Sequence, residues 1–152
     1  MRAVFQRVYE ASVTVEEAVV GAIKTGALLL VGITHEDTER EARWLAKKVA
    51  GLRVFSDEQD RMNLSVKDIG GEMLVVSNFT LYGDASHGRR PSFVEAARPE
   101  MAKPLFDTFV RFLKEEGVPV QTGVFGADMT IKMLGNGPIT LWLDTAVDAR
   151  GL

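Results

Sequence analysis

The sequence predicts an α+β domain, in which a largely antiparallel or mixed β-sheet has two main helices packed on it. Three observations lead there. The 152 residues fit a single domain of ordinary size with a substantial core. Apolar residues at 46% and charged residues at 26% are the proportions of a soluble globular chain and exclude a disordered or fibrous one. Only two stretches show helical periodicity, whereas several strand-like stretches follow one another without a crossover helix, so neighbouring strands must pair mostly antiparallel.

Residues 3–15 set Val4, Val8, Val13 and Val15 among polar residues in near alternation, which predicts one long strand or two in succession. Residues 19–24 give a short strand. Gly26 then precedes the continuous apolar run Ala27-Leu28-Leu29-Leu30-Val31-Gly32-Ile33, expected as a strand buried on both faces. Thr38-Glu39-Arg40-Glu41 matches a capping box, and the helix it starts places Ala42, Leu45, Ala46, Val49 and Leu52 on one face. The acidic stretch 56–60 reads as a loop and lacks the alternating ligands and central Gly of a calcium loop.

Gly70-Gly71 introduces a buried strand over 72–76 that runs directly into the polar set Ser77-Asn78-Phe79-Thr80. Residues 83–98 form a connection rich in Gly, Arg and Ser, and loops of that length are disproportionately functional. The second helix carries Leu105, Phe106, Phe109, Phe112 and Leu113 and is stopped by Gly117 and Pro119. Pro99 suits its first turn, and Pro104 implies a kink or a later start. Strands over 118–125, 129–134 and 139–143 close the domain, the last two joined by a turn at Gly135-Asn136-Gly137-Pro138. One domain thus spans 1–144, and 145–152 reads as a loose tail.

Composition narrows the chemistry. The net charge of −3 argues against a protein that grips long nucleic acid by electrostatics alone. No Cys is present, so thiolate metal sites and Cys nucleophiles are excluded, and only His35 and His87 could serve as histidine bases. The longest apolar run falls far short of the roughly 20 residues that span a bilayer, and no secretion signal follows Met1-Arg2-Ala3. A cytoplasmic location is expected, with no membrane contact, no cofactor and no metal.

Phosphate-loop, dinucleotide-glycine, nucleophile-elbow and zincin signatures are all absent. The strongest internal candidate is Ser77-Asn78-Phe79-Thr80, which brings two hydroxyls, an amide and a ring to a strand end, although ordinary strand-to-turn chemistry has the same composition. Asn136-Gly137-Pro138 can hold carbonyls pointing outward, as can a simple hairpin turn. His87-Gly88-Arg89-Arg90 is a basic patch suited to phosphate or merely solvated, and nothing in the local sequence marks a Ser partner for His87. Phe125 and Met129 could stack a base, but apolar residues at such positions are more often core.

Taken together, these residues resemble the D-aminoacyl-tRNA deacylase family from the start of the chain to about Asp144. The resemblance includes Gln6-Arg7-Val8, Ala11-Ser12-Val13-Thr14-Val15, Phe55-Ser56-Asp57, Met62-Asn63-Leu64 and Arg90-Pro91-Ser92-Phe93. Two motifs define the family: Ser-Gln-Phe-Thr, here Ser77-Asn78-Phe79-Thr80, and Gly-Pro-Val-Thr, here Gly137-Pro138-Ile139-Thr140. Ile139 for Val adds volume but stays apolar, and Asn78 for Gln shortens an amide by one methylene.

The resemblance implies a homodimer with active sites at the subunit interface, where Gly137-Pro138 of one chain, its bond cis, enters the pocket of the other. Arg7 matches the family residue that braces this element, and Ile139 and Thr140 complete it. The terminal adenosine of the aminoacylated tRNA 3′ end is expected near Phe125 and Ala102, with Met129 at the pocket border. Chirality is then tested by rejection, since a protruding backbone can exclude an L side chain without affinity for any particular D residue. Glycyl esters should pass the same filter.

The ester is already activated, so a positioned water and oxyanion donors, expected at the backbone N–H groups around Phe79 and Thr80, suffice for its hydrolysis. The family's favoured mechanism assigns activation to the terminal 2′-OH; Thr80 as nucleophile is the alternative, with no base evident beside it. Arg89, Arg90 and Lys132 are the candidates for phosphate contact. Competing readings are a non-catalytic module that binds the aminoacylated tRNA end and a general esterase, the latter weakened by the missing nucleophile elbow.

Overall fold

The computed structural model describes residues 1–149. Eight strands and two long helices appear in the order β1 (Arg2–Val15), β2 (Ala18–Ile23), β3 (Gly26–Gly32), α1 (Glu39–Gly51), β4 (Phe55–Ser56), β5 (Met62–Leu64), β6 (Glu72–Ser77), α2 (Pro99–Glu115), β7 (Val120–Thr122) and β8 (Thr130–Asp144). A single 3₁₀ turn, Phe79–Tyr82, follows β6, and a short helix α3, Thr145–Asp148, follows β8. Among the described residues, no helix is long and apolar enough to cross a membrane.

The sheet is mixed, with two helices packed on it, as the patterning predicts. β1 is one strand of 14 residues. Its first half pairs antiparallel with β3 and its second with β2, and β8 runs antiparallel along its other edge. β3, β6 and β7 are parallel neighbours. That order demands crossovers, which α1 and α2 supply. Gly26 lies where β3 meets β6, and a Cβ there would stand 1.8 Å from the Glu72 carbonyl oxygen, so only glycine allows the approach.

Alternation sorts the two faces. Ala27, Leu29, Val31, Met73 and Val75 face α1 and α2 in the main core, while Leu28, Leu74 and Val76 enter a second cluster on the opposite face. β3 is therefore buried on both sides, as its unbroken apolar run requires. Phe5 belongs to the first cluster and Val8, Ala11 and Val13 to the second, a parity change where the β1–β8 register slips beside Tyr9.

The Thr38–Glu41 capping box forms as expected, and Ala42, Leu45, Ala46 and Val49 are buried, with Leu52 just past the helix end. Burial opposes the ionisation of Glu41, but its bonds from Thr38 outweigh it and hold the carboxyl below its ordinary value. α2 starts at Pro99 and continues through Pro104, so neither a later start nor a broken helix is needed. All five apolar positions named for its stripe are buried.

Three expectations are corrected. Residues 118–125 pair only over Val120–Thr122, because the chain then leaves the sheet through Gly123 and Gly126, the latter at φ 75°. Gly135–Pro138 is not a turn between two strands: β8 is continuous, and from Thr140 opposite Gln6 to Gly135 opposite Val8 it spends five residues while β1 spends two. Residues 136–139 are thus a wide bulge, stabilised by Arg7 beneath it. The tail is not loose throughout, since α3 is capped by Asp144 and its buried Thr145 donates its N–H to the Met1 carbonyl. The buried Met1 ammonium in turn bonds Thr145 Oγ1 and the Asp37 carboxylate. Arg150 to Leu152, the rest of that tail, lie outside the described residues.

The acidic stretch after β4 holds a small hairpin that sequence reading missed. Asp57 accepts the backbone N–H groups of Gln59 and Arg61, which closes the β4–β5 turn without a strong propensity signal.

Candidate active site

β6 ends in the interior, and its last residue, Ser77, is half-buried at the mouth of a cleft of about 770 Å³. Leu30, Val31 and Val76 line it from the strand ends, Ala97, Arg98, Pro99 and Ala102 from the start of α2, and Phe125 to Met129 from the segment before β8. Ser77, Asn78, Phe79, Thr80, Ala102, Phe125 and Met129, which are far apart in sequence, all line this one cleft.

The turn after Ser77 is shaped by Asn78. Its backbone N–H donates to the Val31 carbonyl at 2.8 Å, which anchors the chain to β3. Its Oδ1 accepts the Thr80 backbone N–H at 3.3 Å and the Thr80 hydroxyl, capping the 3₁₀ turn. An amide this short reaches back two residues naturally, so Asn at this position commits its oxygen to the turn. Phe79 N–H, at the start of the turn, has no partner among the described residues. The Phe79 ring is exposed and meets Phe93 edge-on at 5.2 Å, while Phe125 packs on Phe106 of α2 at 6.0 Å.

Thr80 has no base at hand. Its hydroxyl proton goes to an amide oxygen, no histidine lines the cleft, and the lining carboxylate, Asp128, makes no hydrogen bond to Thr80. His35 instead contacts the Val94 carbonyl, and His87 bonds Ser86 Oγ at 2.8 Å on the exposed tip of the 83–98 connection. That Ser–His contact corrects the sequence reading of His87. The two side chains are adjacent because Asp84 accepts the Ser86 N–H and tightens the turn, and the pair lies outside the cleft.

Gly137, Pro138, Ile139 and Thr140 do not line this cleft in the same chain. They sit on the β8 bulge, where the Gly137–Pro138 peptide is cis and Gly137 has φ 133°. A Cβ on Gly137 would stand 2.6 Å from the Ile139 nitrogen and 2.8 Å from Ile139 Cγ1. Arg7 holds the bulge: Nε donates to the Asn136 carbonyl at 3.1 Å, one terminal nitrogen to Asn136 Oδ1 at 3.2 Å, and the other to the Val54 carbonyl at 2.7 Å. Pro138 and Gly137 are exposed above this clamp.

Arg89 and Arg90 are exposed on the long connection, Lys132 lies opposite Ser12 on β8, and none of the three lines the cleft. Two residues at the site escaped sequence reading. Arg98 lines the cleft from the residue before α2, where a lone Arg ahead of Pro99 carries no signal. Arg2 braces the 3₁₀ turn from below, donating to the Leu81 carbonyl at 2.9 Å and to Asp144 at 3.0 Å while lying 4.4 Å from the Tyr82 ring. Burial, then the nearby Asp37 and Asp144, push the Tyr82 hydroxyl above its ordinary value, so it stays protonated.

Comparison with known proteins places the chain in a family. The family model described as D-Tyr-tRNA(Tyr) deacylase matches residues 4–144. A D-aminoacyl-tRNA deacylase of Exiguobacterium sp. is 58% identical over 144 residues, covering 95% of this chain and 98% of its own. One from Thermotoga petrophila is 57% identical over 146 residues, covering 96% and 98%. Among solved structures, one titled c-Myc DNA Unwinding Element Binding Protein superposes with a TM-score of 0.88 at 37% identity over 95% of this chain and 98% of that one. A structure described as a probable eukaryotic D-amino acid tRNA deacylase shares the fold at a TM-score of 0.80 and 17% identity, over 93% and 97%. With the family model spanning nearly its whole length and relatives this similar, the chain belongs to the D-Tyr-tRNA(Tyr) deacylase family.

Proposed function

We propose that the protein hydrolyses the ester of D-aminoacyl-tRNA and spares the L ester, as a chiral proofreading step in the cytoplasm. The observation that carries this reading is the pairing of a cleft lined by Phe79, whose backbone N–H has no partner among the described residues, with a clamped, exposed Gly137-Pro138 bulge outside that cleft.

A second copy of the chain brings the two together. β8 is an edge strand of 15 residues, ten of them exposed, and shows Ile131, Met133, Leu134 and Trp142 to solvent. A long apolar edge of this kind is covered in functional proteins, and a homodimer covers it with the same surface. In that dimer the bulge of each chain enters the cleft of its partner, so each site is built from both chains. Carbonyls next to Gly137 then form the wall that an L side chain strikes at Cα, while a D side chain projects away and glycine has nothing to collide.

In the chemical step water adds to the ester carbonyl carbon, the bond to the ribose oxygen breaks, and the departing ribose oxygen takes the water's proton to become a hydroxyl. Phe79 N–H receives the developing oxyanion. The 2′-OH of the terminal ribose activates the water, which fits a cleft without a histidine and a Thr80 hydroxyl turned to Asn78. Ala102, Phe125 and Met129 hold the terminal adenosine, with Ser77 and Asn78 shaping the turn beneath the ester.

The test is release of D-tyrosine from D-Tyr-tRNA whose terminal adenosine carries either a 2′-OH or a 2′-H. Fast release from the first and a loss of several orders of magnitude with the second supports the reading. No release from either leaves a binding module.

A further inference from the structure

The exposed face of α1 carries Arg40, Arg43, Lys47 and Lys48, and Arg53 follows just past the helix end. With Trp44, Gly51 and Leu52 they line a shallow groove of about 880 Å³, in which five of the eight lining residues are cationic and none is acidic. The whole chain has a net charge of −3, so this concentration runs against the composition.

A solvated helix face normally intersperses signs, and α2 does so: Lys103 pairs with Asp107 at 2.7 Å and Arg111 with Glu115 at 2.8 Å, each four residues on. On α1 the same spacing places Arg43 beside Lys47, a like-charge pair, and the exposed acid of the helix is Glu39 in its first turn, four residues before Arg43. Arg43 leans inward, over the Phe112 ring at 3.8 Å and 3.8 Å from Glu115. Glu41, in the first turn, spends its carboxylate on the capping box. Lys47 and Lys48 remain exposed, with Lys48 Nζ 5.8 Å from the Trp44 ring.

The groove also has a definite end. Arg53 precedes Val54, whose carbonyl accepts from Arg7, and the same guanidinium holds Asn136 at the base of the Gly137-Pro138 bulge. We propose that the α1 groove binds the phosphate backbone of the tRNA acceptor stem whose aminoacylated end lies in the partner subunit's cleft. The bulge that enters that cleft and the cations that would meet the emerging RNA are then parts of one braced unit. This rests on the function proposed above and adds a second, stem-reading contact to it. Cations in this number with no acid among the lining residues match the regular negative charge of a nucleic-acid backbone.

The variant to make is Lys47→Ala with Lys48→Ala in the full chain, both residues being exposed and outside the cleft and the bulge. Binding is read by anisotropy of labelled, uncharged tRNA between 50 and 200 mM salt, a range set by the known salt dependence of phosphate contacts. Cleavage of D-Tyr-tRNA and of a short D-tyrosyl-adenosine ester is read in parallel. Two lost phosphate contacts should lower the log–log salt slope by about 1.4–1.8 and weaken tRNA binding several-fold or more, with the short ester cleaved as before. An unchanged slope and affinity, with wild-type melting behaviour, overturns the groove proposal. If the wild-type protein cleaves neither substrate, the proposed function fails, while the tRNA slope still decides for or against the groove.

Discussion

Arg7→Lys is the most informative single change to the proposed filter. Arg7 makes three hydrogen bonds, two to Asn136 and one to the Val54 carbonyl, all from one planar, partly buried guanidinium. Lysine keeps the charge but is a single point donor and cannot span both partners. Hydrogen bonds from a charged donor are worth about 1.5–3 kcal/mol each, so losing the two to Asn136 relaxes the bulge by about 3 kcal/mol after allowing for partial exposure. If the carbonyls beside Gly137 exclude L side chains by position, up to that much discrimination is lost, roughly a hundredfold in the ratio of D- to L-ester cleavage. The assay is single-turnover release from D-Tyr-tRNA and L-Tyr-tRNA, with a melting curve to confirm folding. A variant that melts normally and keeps the wild-type ratio refutes the idea that Arg7 holds the selective element.

Four further outcomes follow from the same geometry. Gly137→Ala places a Cβ 2.6 Å from the Ile139 nitrogen at φ 133°, so it should strain the bulge by about 1–3 kcal/mol and cut D-ester cleavage tenfold or more; unchanged kinetics would contradict this. Thr80→Ala should keep most of its activity and lose about 1 kcal/mol of stability with the Asn78 bond, whereas a loss of several orders of magnitude with tRNA binding intact would restore Thr80 as nucleophile. Asp37→Ala strands the buried Met1 ammonium and should cost about 3–5 kcal/mol in urea unfolding; a change under 1 kcal/mol would show the pair to be inert. Glu41 is held below its ordinary value of 4.5, so its contribution is present above that pH and lost as pH falls through the lowered folded value. The stability difference between wild type and Glu41→Gln should therefore shrink as pH falls below 4.5, and a constant difference would exclude the capping carboxylate as its source.

The layers of this fold were legible because burial imposes period: the all-apolar run of β3 and the stripes of α1 and α2 have few alternative placements. Crossover helices made part of the sheet parallel, also within the mixed sheet expected. The β8 bulge was not legible. Gly-Asn-Gly-Pro carries the chemistry of a turn, and only pairing along the full length of β1, with Arg7 reaching across from sequence position 7 to 136, makes it a bulge instead. Within the site, Ser77 to Thr80 could be found from a strand running into polar residues. Phe125, Met129 and Ala102 look like core in isolation, and the resemblance rather than periodicity singled them out. Arg2 and Arg98 carry no local signal, since their value lies in contacts with segments distant in sequence.

The central claim is chirality read by a backbone wall, and release of amino acid from matched D-Tyr-tRNA, L-Tyr-tRNA and Gly-tRNA tests it most directly. Fast cleavage of the D and glycyl esters with the L ester spared is the predicted result. Equal cleavage of D and L esters, or rejection of the glycyl ester together with the L, would contradict a filter that works by collision with the side chain.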